Sequence, residues 1–275
     1  MIQTSKGYLD LGDGQLYCES AGAGAPVVLT HAGFLDCRMF DDIWEPLARN
    51  NQVVRYDMRG FGQSSPAAGP VCRRADLDQL LKHLGLTHVH LVGCSMGGQI
   101  CLDLALEQPE LIASLTLVDS APSGFELQGA MPRYMPEMIA ALQSGDVEQA
   151  SELQIRIWLD GEARDAGQVD PELRRKALKM NRIAVARNTF FLVDQQPAKP
   201  LDPPAVTRLE EVSCPTLIVV GSLDHLEVLR AGEVMATRIP NARKITLEGS
   251  GHVPSYEQPE NFVSRLLEFL GDVNS

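Results

Sequence analysis

The 275-residue sequence predicts an α/β fold: a mostly parallel, eight-stranded sheet flanked by helices, with a helical cap inserted after the sixth strand. Three observations carry this expectation. Short, near-continuous apolar runs recur along the chain, as in strands buried on both faces of a helix-covered sheet. Amphipathic stretches of helical period separate them. One long block in the second half shows helical patterns and no convincing strand.

Two N-terminal segments, 7–11 and 15–19, flank Gly12-Asp13-Gly14 and read as an antiparallel hairpin at the sheet edge. The buried runs are 27–31, 53–56, 89–93, 115–118, 216–221 and 244–247. Between them, 75–84 places Leu77, Leu80, Leu81 and Leu84 on one helical face. From 123 to 204 the helical patterns are 136–143, 147–159 and 171–191, ending in the proline-rich stretch 196–204. That is roughly 80 residues, several times what a crossover between parallel strands needs. The expected division is therefore a core of 1–122 and 205–275 with a cap of 123–204.

Composition narrows the function. Apolar residues make up 44% and charged residues 22%, as in soluble globular chains. A net charge of −12 argues against a nucleic-acid partner, which needs a basic footprint. The first seven residues carry no basic region followed by an apolar core, so no secretory signal is expected. No apolar run is long enough to span a bilayer. Six scattered cysteines show no zinc-like spacing and read as reduced thiols, which points to the cytoplasm.

The most informative motif is Gly93-Cys94-Ser95-Met96-Gly97, a G-x-S-x-G between an expected strand and the helix 99–108. A sharp turn there strains the backbone and leaves no room for a Cβ at the flanking glycines. It also aims a helix N-terminus at developing negative charge. Ser95 is the candidate nucleophile, and Cys94 a packing residue. A serine needs a base. Of six histidines, His252 lies on a glycine-rich loop after the last strand, where it can reach the sheet's carboxyl edge. His31 is expected to brace a loop, and His83, His88 and His90 to be surface or packing residues. His225 is the chief competitor. Asp224, on the loop after 216–221, is the candidate acid that would fix the imidazole, with Asp119 as its rival. The oxyanion donors are expected to be the backbone N–H groups of Met96 and Phe34, with Gly33 as the alternative to Phe34.

Together these features resemble the α/β-hydrolase superfamily, in particular its capped carboxylesterases and enol-lactone hydrolases. The order Ser95, Asp224, His252 is the family's order. His31-Ala32-Gly33-Phe34 is similar to its H-G-x motif, with alanine replacing the first glycine. The segment 56–64 is similar to its D-x-R-G-x-G-x-S turn, in which Asp57 and Arg59 look structural. Serine rather than aspartate at position 95 separates the chain from epoxide hydrolases and haloalkane dehalogenases of similar layout. The resemblance implies hydrolysis through an acyl-enzyme on Ser95, with no metal or organic cofactor. The expected substrates are small carboxylic esters, with lactones as the alternative and a hydrolase-fold ligand receptor as the reading from another class. The expected assembly is a monomer or homodimer. Met131, Met135, Met138, Trp158, Phe190 and Phe191 are candidates for an apolar substrate pocket.

Overall fold

The computed structural model describes residues 2–195 and 197–274. Met1, and Gln196 at the head of the proline-rich stretch, lie outside the described residues. Eight strands form one sheet: β1 (Thr4–Asp10), β2 (Gln15–Ala21), β3 (Ala25–Thr30), β4 (Asn51–Tyr56), β5 (Val89–Cys94), β6 (Ile112–Val118), β7 (Thr216–Gly221) and β8 (Ala242–Leu247). Their spatial order is β1-β2-β4-β3-β5-β6-β7-β8. Strand β2 runs antiparallel to both β1 and β4, and all the remaining pairs are parallel. The sequence expectation of a mostly parallel sheet with an antiparallel edge hairpin is met.

Alternation along each strand explains the continuous apolar runs. Val27 and Leu29 of β3 face one core, and Val28 faces the other. Leu217 and Val219 of β7 face the first core, and Ile218 and Val220 the second. With both sides covered, a polar side chain in these strands is costly unless it finds a partner. Helix α1 (Asp41–Ala48) contributes Ile43, Trp44 and Leu47 to the core that holds Leu29. Helices α2 (Arg73–His83) and α3 (Met96–Glu107) cover the other face with Leu77, Leu80, Leu81, Leu102 and Leu104.

Between β6 and β7 lie α4 (Met135–Ser144), α5 (Val147–Ile155) and α6 (Pro171–Ala186). They share a small apolar core of their own that includes Met138, Leu142, Ala150 and Leu153. Two continuous helices expected from the sequence are broken here. The first, 147–159, ends at Ile155 and widens into a π-helical turn over Arg156–Asp160, closed by Gly161 at φ +74°. The second, 171–191, ends at Ala186, because Asn188 adopts a left-handed φ of +53° that no helix can continue. A second π-helical turn follows over Phe190–Asp194. Such widened turns re-aim the side chains they carry.

After β7 come α7 (Leu226–Arg238), α8 (Pro254–Glu257) and α9 (Pro259–Val273), the last packing Phe262 and Leu266 under the sheet. Among the described residues, no helix is long and apolar enough to cross a membrane. Leu29, fully buried on a central strand, tests the two-faced core. Leu29→Ala should cost about 2–5 kcal/mol in denaturant unfolding, and a loss below about 1 kcal/mol would contradict the packing described.

Candidate active site

The site stands on the carboxyl ends of β5, β6, β7 and β8. At the end of β5, Ser95 has φ +54° and ψ −119°, a strained conformation for a residue with a side chain. Its N–H donates to the Val118 carbonyl at 2.8 Å, which pins the elbow to the end of β6. The glycines on either side make the approach possible. A Cβ on Gly93 would lie 2.4 Å from the Gly97 carbonyl oxygen, and one on Gly97 would lie 2.2 Å from that of Thr30.

The loops after β7 and β8 are locked together. A Cβ on Gly221 would lie 2.0 Å from the Gly251 carbonyl oxygen, so glycine alone lets the two loops meet. Leu223 N–H donates to Ser250 O, and Ser222 N–H to Leu247 O. This juxtaposition brings His252 Nδ1 within 2.7 Å of Asp224 Oδ2, while His252 Nε2 lies 2.8 Å from Ser95 Oγ. A carboxylate cannot donate, so the tautomer serving both contacts carries its proton on Nδ1, and Nε2 accepts from the Ser95 hydroxyl. The other oxygen of Asp224 accepts the His225 N–H at 2.7 Å. The imidazole is walled by Trp158, with ring centroids 4.9 Å apart, and by Phe34 at 6.3 Å.

Beside Ser95, the turn closed by Leu35 N–H to Ala32 O presents the Phe34 backbone. Among the described residues, neither Phe34 nor Met96 N–H has a hydrogen-bond partner. The two segments touch: a Cβ on Gly33 would meet Met96 Cε at 2.7 Å. His31 braces this loop. Its Nδ1–H donates to Ala32 O at 2.8 Å, and its Nε2 accepts Met58 N–H at 2.9 Å. Complete burial holds its basicity down, so it serves as a neutral bridge.

The other sequence candidates separate clearly. Asp57 accepts the N–H groups of Cys37 and Gln63, and Arg59 pairs with Asp76 and Asp13, so both hold turns. His83 and His88 are exposed, and His90 is buried on Ser114 Oγ. His225 caps α7 by accepting Glu227 N–H. Asp119 is buried at the end of β6, with both carboxyl oxygens on the Gly221 N–H at 3.1 and 3.2 Å. It forms no hydrogen bond or ion pair with His252. Met131, Met135, Trp158 and Phe190 all line one cavity of about 330 Å³, together with His225 and Glu227. Met138 faces instead into the small core of the helical insertion, and Phe191 packs edge-on against Phe190. These two are not lining residues.

Two residues that the sequence did not single out hold the site in place. Asn181 of α6, fully buried, donates Nδ2–H to the Phe34 carbonyl at 2.9 Å and so ties the helical insertion to the loop after β3. Glu257 accepts the N–H groups of Gly251 and Val253, on either side of His252, and pairs with Arg164 of the insertion at 2.6 Å. A carboxylate five residues after the histidine was a visible signal. For Asn181 there was none.

A family model of the alpha/beta hydrolase fold matches residues 25–259. The chain belongs to that family. It is 31% identical to a 2-hydroxy-6-oxononadienedioate/2-hydroxy-6-oxononatrienedioate hydrolase of Pseudomonas putida, over 96% of this chain and 93% of that one. It is 28% identical to the pimeloyl-[acyl-carrier protein] methyl ester esterase of Aeromonas hydrophila, over 92% and 98%. Among solved structures, a thermophilic esterase from Thermogutta terrifontis superposes with a TM-score of 0.77 at 26% identity, covering 98% and 100% of the two chains.

The Gly221–Gly251 contact gives a direct test. Gly221→Ala should push the His252 loop out by an ångström or so and lower the hydrolytic rate about a hundredfold. A rate within threefold of wild type would mean that the loops do not depend on that contact.

Proposed function

We propose that this hydrolase cleaves small, uncharged carboxylic esters through an acyl-enzyme on Ser95. The observation that carries the reading is the continuous line from Asp224 through His252 to Ser95 Oγ, set beside two unpartnered backbone N–H groups. In this reading His252 takes the Ser95 proton as Oγ attacks the ester carbonyl. The Met96 and Phe34 N–H groups hold the oxyanion. His252 then gives its proton to the departing alcohol, and a water activated by the same nitrogen releases the acid. Asp224 keeps the imidazole in the required tautomer throughout. Residues 123–204 act as the cap, carrying Trp158 and Phe190 over the site.

In this reading the acyl or alcohol group enters the cavity that shares Trp158 with the wall of His252. Its walls are mostly apolar, its polar side chains are Gln195, His225 and Glu227, and Glu227 is already paired with Arg230. No lysine or arginine lines it, so a neutral acyl or alcohol group fits better than a dicarboxylate.

The test is steady-state turnover on 4-nitrophenyl esters of increasing acyl length. We expect many cycles, with kcat/KM rising about fourfold per added methylene until the cavity is filled. Ser95→Ala should reduce the rate to background, and Asp224→Asn by about four orders of magnitude. A single slow cycle with a persistent adduct would favour the receptor reading, and a preference for lactones over open-chain esters of equal size would favour lactonase activity.

A further inference from the structure

Arg164 belongs to the helical insertion, and the mechanism above does not use it. It follows the π-helical turn Arg156–Asp160 and folds back onto the end of it. A helix end leaves carbonyls without partners, and the guanidinium takes two of them. Its Nη2–H donates to the Leu159 carbonyl at 2.7 Å and its Nε–H to the Asp160 carbonyl at 3.0 Å. The remaining nitrogen, Nη1, donates to Glu257 Oε2 at 2.6 Å. One planar group thus gathers three oxygens from two distant parts of the chain.

Both ends of this bridge bear on His252. Glu257 turns its other oxygen, Oε1, to the N–H of Gly251 at 3.0 Å and of Val253 at 3.4 Å, the residues on either side of the histidine. Leu159 and Asp160 directly follow Trp158, whose ring centroid lies 4.9 Å from that of the imidazole. The guanidinium fills the space between. A Cβ on Gly251 would collide with Arg164 Nη2, and would also press on Glu257 Oε1 and the Leu159 carbonyl. Within the insertion, Arg156 and Arg174 hold the same turn through the buried Asp160 carboxylate. Arg164 links that turn to the histidine loop. The two side chains of its pair with Glu257 are only 12% and 7% exposed, so neither charge can be left alone cheaply.

We propose that Arg164 is a positioning residue for hydrolysis: it clamps the Trp158 turn to the His252 loop and so holds the imidazole between Trp158 and Ser95. The inference rests on the reading of His252 as the base, and its central test does not need activity. A lysine ammonium would keep a positive charge beside Glu257. As a single point on a flexible stem, it cannot hold two carbonyls and a carboxylate in one plane. Arg164→Lys therefore tests the fork without leaving Glu257 unpaired in the interior.

Fluorescence reads the clamp directly. Trp158 shares the chain with one other tryptophan, Trp44. In a Trp44→Phe background the emission comes from Trp158 alone, and a protonated imidazole quenches an indole that touches it. Lowering the pH should dim the emission in a step that His252→Gln abolishes. That control separates His252 from His225, which lines the same cavity as Trp158, and from the neighbouring carboxylates of Asp224 and Glu257. In Arg164→Lys the step should be largely lost. A step of equal size in both proteins, or no step with Arg164 in place, would overturn the proposal. If Arg164→Lys does not fold, Glu257→Gln carries the same reading, because it cuts the bridge from the other end.

Activity supplies a second test. On 4-nitrophenyl acetate, Arg164→Lys should lower kcat about tenfold with KM within about threefold of wild type, because a misplaced base slows attack without weakening the binding of so small an ester. A loss confined to KM would mean that Arg164 only shapes the cavity, and would overturn the proposal. Combining Arg164→Lys with Glu257→Gln should cost little more than either change alone, since both cut one link. Losses that multiply would contradict a single clamp. Turnover that survives Ser95→Ala, with the fluorescence difference intact, would count against the acyl-enzyme reading and leave the clamp standing.

Discussion

Everything in the site depends on the close approach of β5 and α3 at Ser95. The chain reverses there within a residue or two, and a residue with a side chain is held at a positive φ of +54°. That conformation is costly, and the surroundings hold it by removing the alternatives. The carbonyls of Gly97 and Thr30 leave no room for a Cβ at positions 93 and 97, and the Ser95 N–H is anchored on β6. With the elbow held, Oγ stands above the sheet edge and the first N–H groups of α3 point past it. The same geometry recurs at the neighbouring strands. Asp119 is also left-handed at the end of β6, and Gly221 and Gly251 let the last two loops meet. Four strand ends are thus brought together by backbone contacts that tolerate no extra atoms.

The helical insertion is fastened to this platform at its working parts. Asn181 holds the Phe34 carbonyl, Thr189 Oγ1 donates to Gly60 O, Arg187 donates to Phe61 O and Ser64 O, and Arg164 reaches the histidine loop through Glu257. The insertion's two π-helical turns place Trp158 against His252 and Phe190 in the cavity wall. Moving α6 would therefore disturb the Phe34 loop as well as the cavity wall.

Much of this was legible in the sequence, for identifiable reasons. Six strands could be placed from short apolar runs, and the two at the edge from the Gly12-Asp13-Gly14 turn between them. G-x-S-x-G announces its own geometry because glycine is demanded by sterics. The histidine and the aspartate could be ranked by their position after strands. Other features were illegible because they depend on tertiary contact. Helical periodicity over 147–159 and 171–191 does not reveal where a turn widens, since the break is made by Gly161 and Asn188. Met135 and Met138 are three residues apart on one helix, and only its docking shows that the first meets the cavity and the second the core. Asn181 acts on a backbone carbonyl 147 positions away, a relation no local pattern encodes.

The central claim is that Ser95 Oγ is the atom to which the acyl group is transferred. Rapid-quench intact-mass measurement during turnover of a 4-nitrophenyl ester tests it most directly. The account predicts a transient species heavier by one acyl group, with the added mass mapped to the peptide containing Ser95 and absent from Ser95→Ala. An acyl group found on another residue, or steady turnover by Ser95→Ala, would contradict it.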